Sequence, residues 1–213
     1  MTYKVIVFDF DGTLADSFEF FLKAMKAAAA RHGFLDVRID DLETLRGMTS
    51  VELMGHFGIP AWKVPAISTT MRREMTRYAS QVKLFPGVAE MLAQIKAAGL
   101  QTGIATSNSK ESVKIVLGEA VAYVDHLQCG ASLFGKHNKL VQIARAAKAR
   151  PKEVLYVGDE LRDADAADAV KMDFAAVSWG YARPDVLQPR SVVAVLQSPR
   201  QVADFVTLGR VDP

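Results

Sequence analysis

One cysteine in 213 residues, Cys129, excludes an internal disulfide and with it the small cross-linked scaffolds. Its simplest role is that of a small buried apolar residue, in keeping with a reducing compartment. Charge of one sign is missing as well: 26 basic and 24 acidic residues leave a formal net charge of +2, with no block of like charge. A nucleic-acid-binding arm or a membrane patch would need such a block, so neither partner is expected. No apolar stretch reaches transmembrane length, and Lys4, Asp9 and Asp11 interrupt the region where a secretory h-region would lie. A cytoplasmic protein is the expectation. Internal repeats and low-complexity tracts are absent too. What remains is a chain half of whose residues are hydrophobic, long enough to bury a full core as one large domain or one domain with an insertion.

Beta-type runs recur at Tyr3 to Phe8, Leu100 to Ala105, Val154 to Val157, Phe174 to Val177 and Val192 to Leu196. Between most of them lie helical patterns, including Gly87 to Ala98, Lys110 to Leu117, Lys139 to Ala149 and Leu161 to Val170. Such alternation predicts an α/β fold, a parallel sheet covered by helices on both faces. Gly99 and Gly118 should stop two of the helices. The interval from about Ser17 to Phe85 differs. Its Met, Ala, Phe and charged residues fall at helical spacing without a convincing buried strand, so it reads as a helical insertion broken by Pro60 and Pro65. Phe85-Pro86-Gly87 marks the return to the sheet. Asp16, with Glu19 three residues on, is expected to cap the first helix of the insertion.

The most informative segment is VIVFDFDGTLADS, Val5 to Ser17. A strand alternates its side chains, so Asp9 and Asp11 should project together where the buried strand emerges, with Phe10 turned away. Gly12 and Thr13 let the backbone pass close to a ligand and offer N–H groups to phosphate oxygens. Two aspartates and a glycine also make an ordinary turn. A calcium loop fails, because it needs Gly at its sixth position and Glu at its twelfth, where this chain has Leu14 and Phe20.

Open parallel sheets gather ligands at the carboxyl ends of their strands, so polar residues just past each strand should converge. After Ile104-Ala105 come Thr106, Ser107 and Asn108. Thr106 can donate to a phosphate oxygen with help from the Ser107 N–H, or simply cap a helix. After Val157-Gly158 come Asp159 and Asp163, four apart at a helix start and able to share a face, as a hard cation prefers. A pocket holding these acids and a phosphate needs a lysine, and Lys136 is the candidate, with Lys110 and Lys139 as substitutes. Gly130 to Lys136 also matches part of a nucleotide-binding loop, but His137 stands where Ser or Thr should hold Mg²⁺.

Taken in order, DFDGTLADS, IATSN, FGK and GDELRDADAAD resemble the haloacid dehalogenase-like hydrolases, in particular their phosphoglycolate-phosphatase-like branch. The resemblance implies a Rossmann-like core of residues 1–16 and 86–213 with a helical cap of residues 17–85. It implies Asp9 as nucleophile and Asp11 as the acid that protonates the leaving alcohol and then activates water. Thr106 and Ser107 would hold phosphate and Lys136 would neutralise it. Mg²⁺ would sit on Asp9, Asp159 and the backbone carbonyl of Asp11, with Asp163 supporting or completing the site. Two departures stand out: Glu160 follows Asp159 where a small hydroxyl residue is frequent, and His137 follows Lys136 where proline often does.

The expected activity is Mg²⁺-dependent hydrolysis of a small phosphate monoester of the phosphoglycolate kind, with the cap choosing the metabolite. Arg46, in Arg46-Gly47-Met48-Thr49, is expected to grip a carboxylate or second phosphate of the substrate. A sugar phosphomutase would use the same two aspartates, and a silent binding protein on this scaffold is the reading from another class.

Overall fold

A computed structural model describes residues 3–34, 48, 50–130, 135–181 and 192–208. Its centre is a parallel six-stranded sheet made of β1 (Val5–Phe8), β4 (Gln101–Ala105), β5 (His126–Gln128), β6 (Val154–Gly158), β7 (Asp173–Val177) and β8 (Val192–Leu196), in the order β5-β4-β1-β6-β7-β8. Alternation along β1 explains why the strand is apolar throughout. Ile6 and Phe8 face helices α4 (Val88–Ala97), α5 (Lys110–Leu117) and α8 (Pro199–Thr207). Val5 and Val7 face α6 (Lys136–Ala146) and α7 (Leu161–Ala169). With both faces covered, every residue of β1 is fully buried.

The strand order locates the site. From β1 the chain passes to β4 and β5 on one side, then returns to β6 and continues to β7 and β8 on the other. The crevice at the carboxyl ends of β1 and β6 is therefore the switch point where such sheets receive ligands. Phe8 is in register with Ile104 and with Val157, so the residues that follow these three strands emerge in one layer.

Between β1 and β4 the chain makes an excursion. Two short antiparallel strands, β2 (Ala15–Asp16) and β3 (Lys83–Leu84), pair at its base, Ala15 opposite Leu84. The helices α1 (Phe18–His32), α2 (Ser50–His56) and α3 (Val64–Tyr78) lie between them. Buried Ala24, Ala28 and Ala29 let α1 approach α3, whose Thr70 hydroxyl meets His32 Nε2 at 2.8 Å. This is the helical cap inserted into a Rossmann-like α/β core. Pro60 and Pro65 flank the short turn Ala61–Lys63 that enters α3.

Two local expectations need correction. Asp16 does not cap α1: it is exposed in β2 opposite Lys83, and the position before the helix is Ser17, whose hydroxyl is drawn elsewhere. Strand pairing at 15–16 keeps the backbone extended there, which delays the helix. The helix expected from Lys139 begins at Lys136, after Gly135 at φ 77°. Strand β5 and helix α8 carry too short or too mixed a pattern to stand out. No helix among the described residues is long and apolar enough to cross a membrane.

Candidate active site

Asp9 is the first residue past β1. Its N–H donates to Val157 O at 2.8 Å and its neighbour Phe10 is locked in the core, so the carboxyl group is fixed at the switch point, only 3% exposed. Lys136, in the first turn of α6, brings Nζ to 2.8 Å from Asp9 Oδ2 and 2.5 Å from Asp163 Oδ1. Apart from this ion pair with Lys136, the buried Asp9 Oδ2 has no hydrogen-bond partner. Burial pushes the Asp9 carboxyl up to about 7; Lys136 opposes this and Asp163 adds to it. Burial also disfavours the charge on Lys136, but Asp163 and Asp9 outweigh it and raise its pKa.

Asp159, just past β6, is fully buried. Thr13 Oγ1 donates to its Oδ1 at 2.8 Å and the Tyr181 N–H to its Oδ2 at 2.7 Å. Two glycines make room for it. A Cβ on Gly180 would collide with Asp159 Cβ, and one on Gly12, which sits at φ +76°, would collide with Asp159 Oδ2. Burial first, then Glu160, Asp9 and Asp163, hold the Asp159 carboxyl well above the usual range. Asp163, at the start of α7, is differently placed: its oxygens accept from Lys136, from Tyr156 OH at 3.0 Å and from the Glu160 N–H at 3.1 Å. Burial works against its charge, yet Lys136 and Arg162 bring its pKa down.

These three aspartates each offer an oxygen within 4.8 Å of the others. With two of them strained toward protonation and one buried oxygen lacking a hydrogen-bond partner, the cluster fits a hard divalent cation, which would supply the missing positive charge. Asp9 and Asp159 would be the better ligands, because Asp163 accepts from the Lys136 ammonium as well as from Tyr156 OH and the Glu160 N–H, whereas Asp159 accepts only from the neutral donors Thr13 and Tyr181 N–H.

Asp11 is not part of this cluster. Its Oδ1 accepts from Ser17 Oγ at 2.7 Å and its Oδ2 from Asn108 Nδ2 at 2.8 Å. Thr106, past β4, is buried in the same layer, with Oγ1 accepting from the Asn108 N–H at 3.1 Å. Ser107 beside it is exposed. Neither opens the helix: α5 starts at Lys110, capped by Ser109, which accepts from the Ser112 N–H. Lys139, the rival lysine, donates to the carbonyls of Thr106 and Gly130 and ties two loops together, so Lys136 is the one brought to Asp9. Lys110 is exposed at the start of α5. Arg46 lies outside the described residues.

Ser17, Asn108 and Tyr181 are neighbours of the site to which no role was assigned from the sequence, and Thr13, expected there to offer its N–H, meets Asp159 through its hydroxyl. Ser17 and Asn108 stand inside the informative segments, so a polar residue there was the available signal. Tyr181 follows β7 in a segment without a motif.

Comparison with known proteins agrees with this geometry. The family model described as haloacid dehalogenase-like hydrolase matches residues 6–177. A phosphoglycolate phosphatase of Synechococcus elongatus is 30% identical over 96% of this chain and 97% of its own. An N-acetylmuramic acid 6-phosphate phosphatase of Pseudomonas aeruginosa is 26% identical over 100% and 98%. Among solved structures, a haloacid dehalogenase-like family hydrolase from Streptococcus pneumoniae superposes with a TM-score of 0.80 over 95% of this chain and 98% of that one, at 17% identity, a likeness of fold alone. The chain belongs to the haloacid dehalogenase-like hydrolases, in their phosphoglycolate-phosphatase-like branch.

Proposed function

We propose that this protein is a Mg²⁺-dependent phosphatase that hydrolyses a small phosphate monoester through an aspartyl-phosphate on Asp9. The observation that carries the reading is the buried Asp9 carboxyl, with an oxygen lacking a hydrogen-bond partner, beside both Lys136 and Asp159. Asp9 attacks phosphorus, the bond from phosphorus to the alcohol oxygen breaks, and Asp11 gives that oxygen a proton. Asp11 then takes a proton from water as the water attacks phosphorus, which frees Asp9 and inorganic phosphate. Thr106 and the Ser107 N–H hold the phosphoryl oxygens while Lys136, anchored by Asp163, balances their charge. Mg²⁺, on Asp9, Asp159 and the Asp11 carbonyl, would screen carboxylate from phosphate and stabilise the transferring group. Residues 17–85 form the cap that closes over the substrate.

The test is release of inorganic phosphate from p-nitrophenyl phosphate and a metabolite panel, with Mg²⁺ or with a chelator. Sustained release that the chelator abolishes is expected. Activity untouched by the chelator, or transfer to a sugar without net phosphate release, would overturn the reading.

Protons and cation compete for the same carboxylates. Folding raises the Asp9 pKa from 3.8 to about 7, so without cation the folded state is favoured by protonation and loses stability as pH rises through that window. Mg²⁺ should therefore bind about tenfold more tightly at pH 8 than at pH 6 for that one carboxylate, and more if Asp159 also titrates. Calorimetric titration reads this directly; an affinity independent of pH would contradict it.

The substrate carries a second anion. Arg73 and Arg77 on α3 both pair with Glu74, whereas Arg72 is half-buried and forms no ion pair among the described residues, donating only to Thr69 Oγ1 at 3.1 Å. Arg72, Met75, Thr76 and Ala79 share one face by helical spacing. Met75 and Ala79 border a small cavity with Asp11 and Asn108, and Thr76 Oγ1 accepts from Ser112 at 3.2 Å. Phosphoglycolate and N-acetylmuramic acid 6-phosphate, named for the two relatives, both bear a carboxylate besides the phosphate. Arg72→Met should raise KM for phosphoglycolate by about tenfold or more, and for p-nitrophenyl phosphate far less. Equal changes for both would refute an anion grip.

A further inference from the structure

From outside the four motifs, Tyr181 reaches Asp159 directly and Asp11 through Ser17. Its N–H donates to Asp159, and its hydroxyl lies 2.6 Å from Ser17 Oγ. Ser17 has one proton and donates it to Asp11 Oδ1 at 2.7 Å, so Tyr181 must donate to Ser17. The result is a directed chain from Tyr181 O–H through Ser17 O–H to the Asp11 carboxylate, in which each bond polarises the next. Burial keeps the phenol protonated, far above its ordinary pKa. A competing acceptor is present: Ala15 O is 3.5 Å from Ser17 Oγ. Without the tyrosine hydroxyl, Ser17, which is fully buried, has an unfilled lone pair and a carbonyl toward which to turn. The Tyr181 ring also packs against Phe18 and Phe21 at the start of α1, with centroids 5.1 and 5.8 Å apart, so the chain's origin is held by the first cap helix.

We propose that Tyr181 is a positioning residue for the reaction, its hydroxyl orienting Ser17 so that Asp11 presents its carboxyl group to the leaving oxygen. This rests on the general-acid role proposed for Asp11. Misaligned proton donation matters for a poor leaving group and little for a good one, which departs as a stable anion. That asymmetry separates positioning from a merely structural role.

The experiment compares kcat/KM, which covers steps only through departure of the alcohol, for an alkyl phosphate and for p-nitrophenyl phosphate with Mg²⁺. Tyr181→Phe keeps the ring and the backbone N–H and removes only the hydroxyl. Its kcat/KM on the alkyl phosphate should fall about tenfold, at least fivefold more than on p-nitrophenyl phosphate, with KM within about twofold. Ser17→Ala leaves the tyrosine packing in place and should show the same discrimination. The double variant should be no worse than Ser17→Ala, since both break one chain. Equal losses on the two substrates, no loss in Tyr181→Phe, or additive losses in the double variant would each overturn the proposal. Asp11→Asn is the reference: if it discriminates between the leaving groups while Tyr181→Phe does not, only the positioning role fails. If Asp11→Asn itself does not discriminate, the general-acid reading falls and takes this proposal with it.

Discussion

Asp9→Asn gives a folded protein whose turnover is lower by about 10⁴-fold or more, because an amide cannot form the phosphoryl ester on which the mechanism depends. The same variant is the more stable protein when no cation is present. Wild-type Asp9 is buried with its carboxyl pushed up to about 7, so at pH 8 folding must hold a charge there against burial. Asparagine removes that charge, and the relief is on the order of 1–3 kcal/mol after allowing for the lost pairing with Lys136. Mg²⁺ should then raise the melting temperature of wild type and do little for the variant. Thermal melts at pH 8, with and without Mg²⁺, beside phosphate-release assays, check both halves. A variant less stable than wild type in chelator would mean that the Lys136 pairing outweighs the burial of Asp9.

Lys136→Met is the second large effect. Lys136 is the ammonium that serves both Asp9 and Asp163, with 15% of its side chain exposed, and a methionine leaves two buried carboxylates facing each other. Removing one partner of a buried pair costs about 3–5 kcal/mol, and turnover should fall by about 10³-fold as the phosphate loses its counter-charge. The sign with pH follows from the acids. Lys136 lowers the pKa of both, so without it the raised Asp9 value climbs further and the depressed Asp163 value rises, and acid relieves the repulsion by protonating them. The stability deficit should thus be larger at pH 8 than at pH 5.5, as denaturant titrations would read it. A deficit that does not change with pH would mean that the lysine stabilises by packing alone.

How much of this was readable from residues alone can be judged element by element. The strands around the site were legible because burial on both faces makes β1 and β6 almost wholly apolar, and β4 apolar after Gln101 and Thr102, and each is followed by a polar residue: Asp9, Asp159 and Thr106. The cap was legible as an interval with helical spacing and no buried strand. Lys136 could not be separated from Lys139 by spacing, since three residues along one helix decide which reaches a carboxylate and which reaches carbonyls. Asp163 read as a cation ligand from its distance to Asp159; its engagement with Lys136, Tyr156 and the Glu160 N–H is a tertiary fact. Asp16 misled because capping chemistry is local, whereas its pairing partner Lys83 is 67 residues away, the difference of 83 and 16. Tyr181 was invisible for the same reason, its partners Ser17 and Asp159 being distant in the chain.

The central claim is that the acids past β1 and β6 gather so that an oxygen of Asp9 attacks phosphorus. Rapid quenching of a single turnover with ³²P-labelled substrate and Mg²⁺ measures it most directly. A hydroxylamine-labile label on the peptide containing Asp9, formed before phosphate appears and absent in chelator, is the predicted result. Label on another residue, or full turnover with no labelled protein at any time, would contradict it.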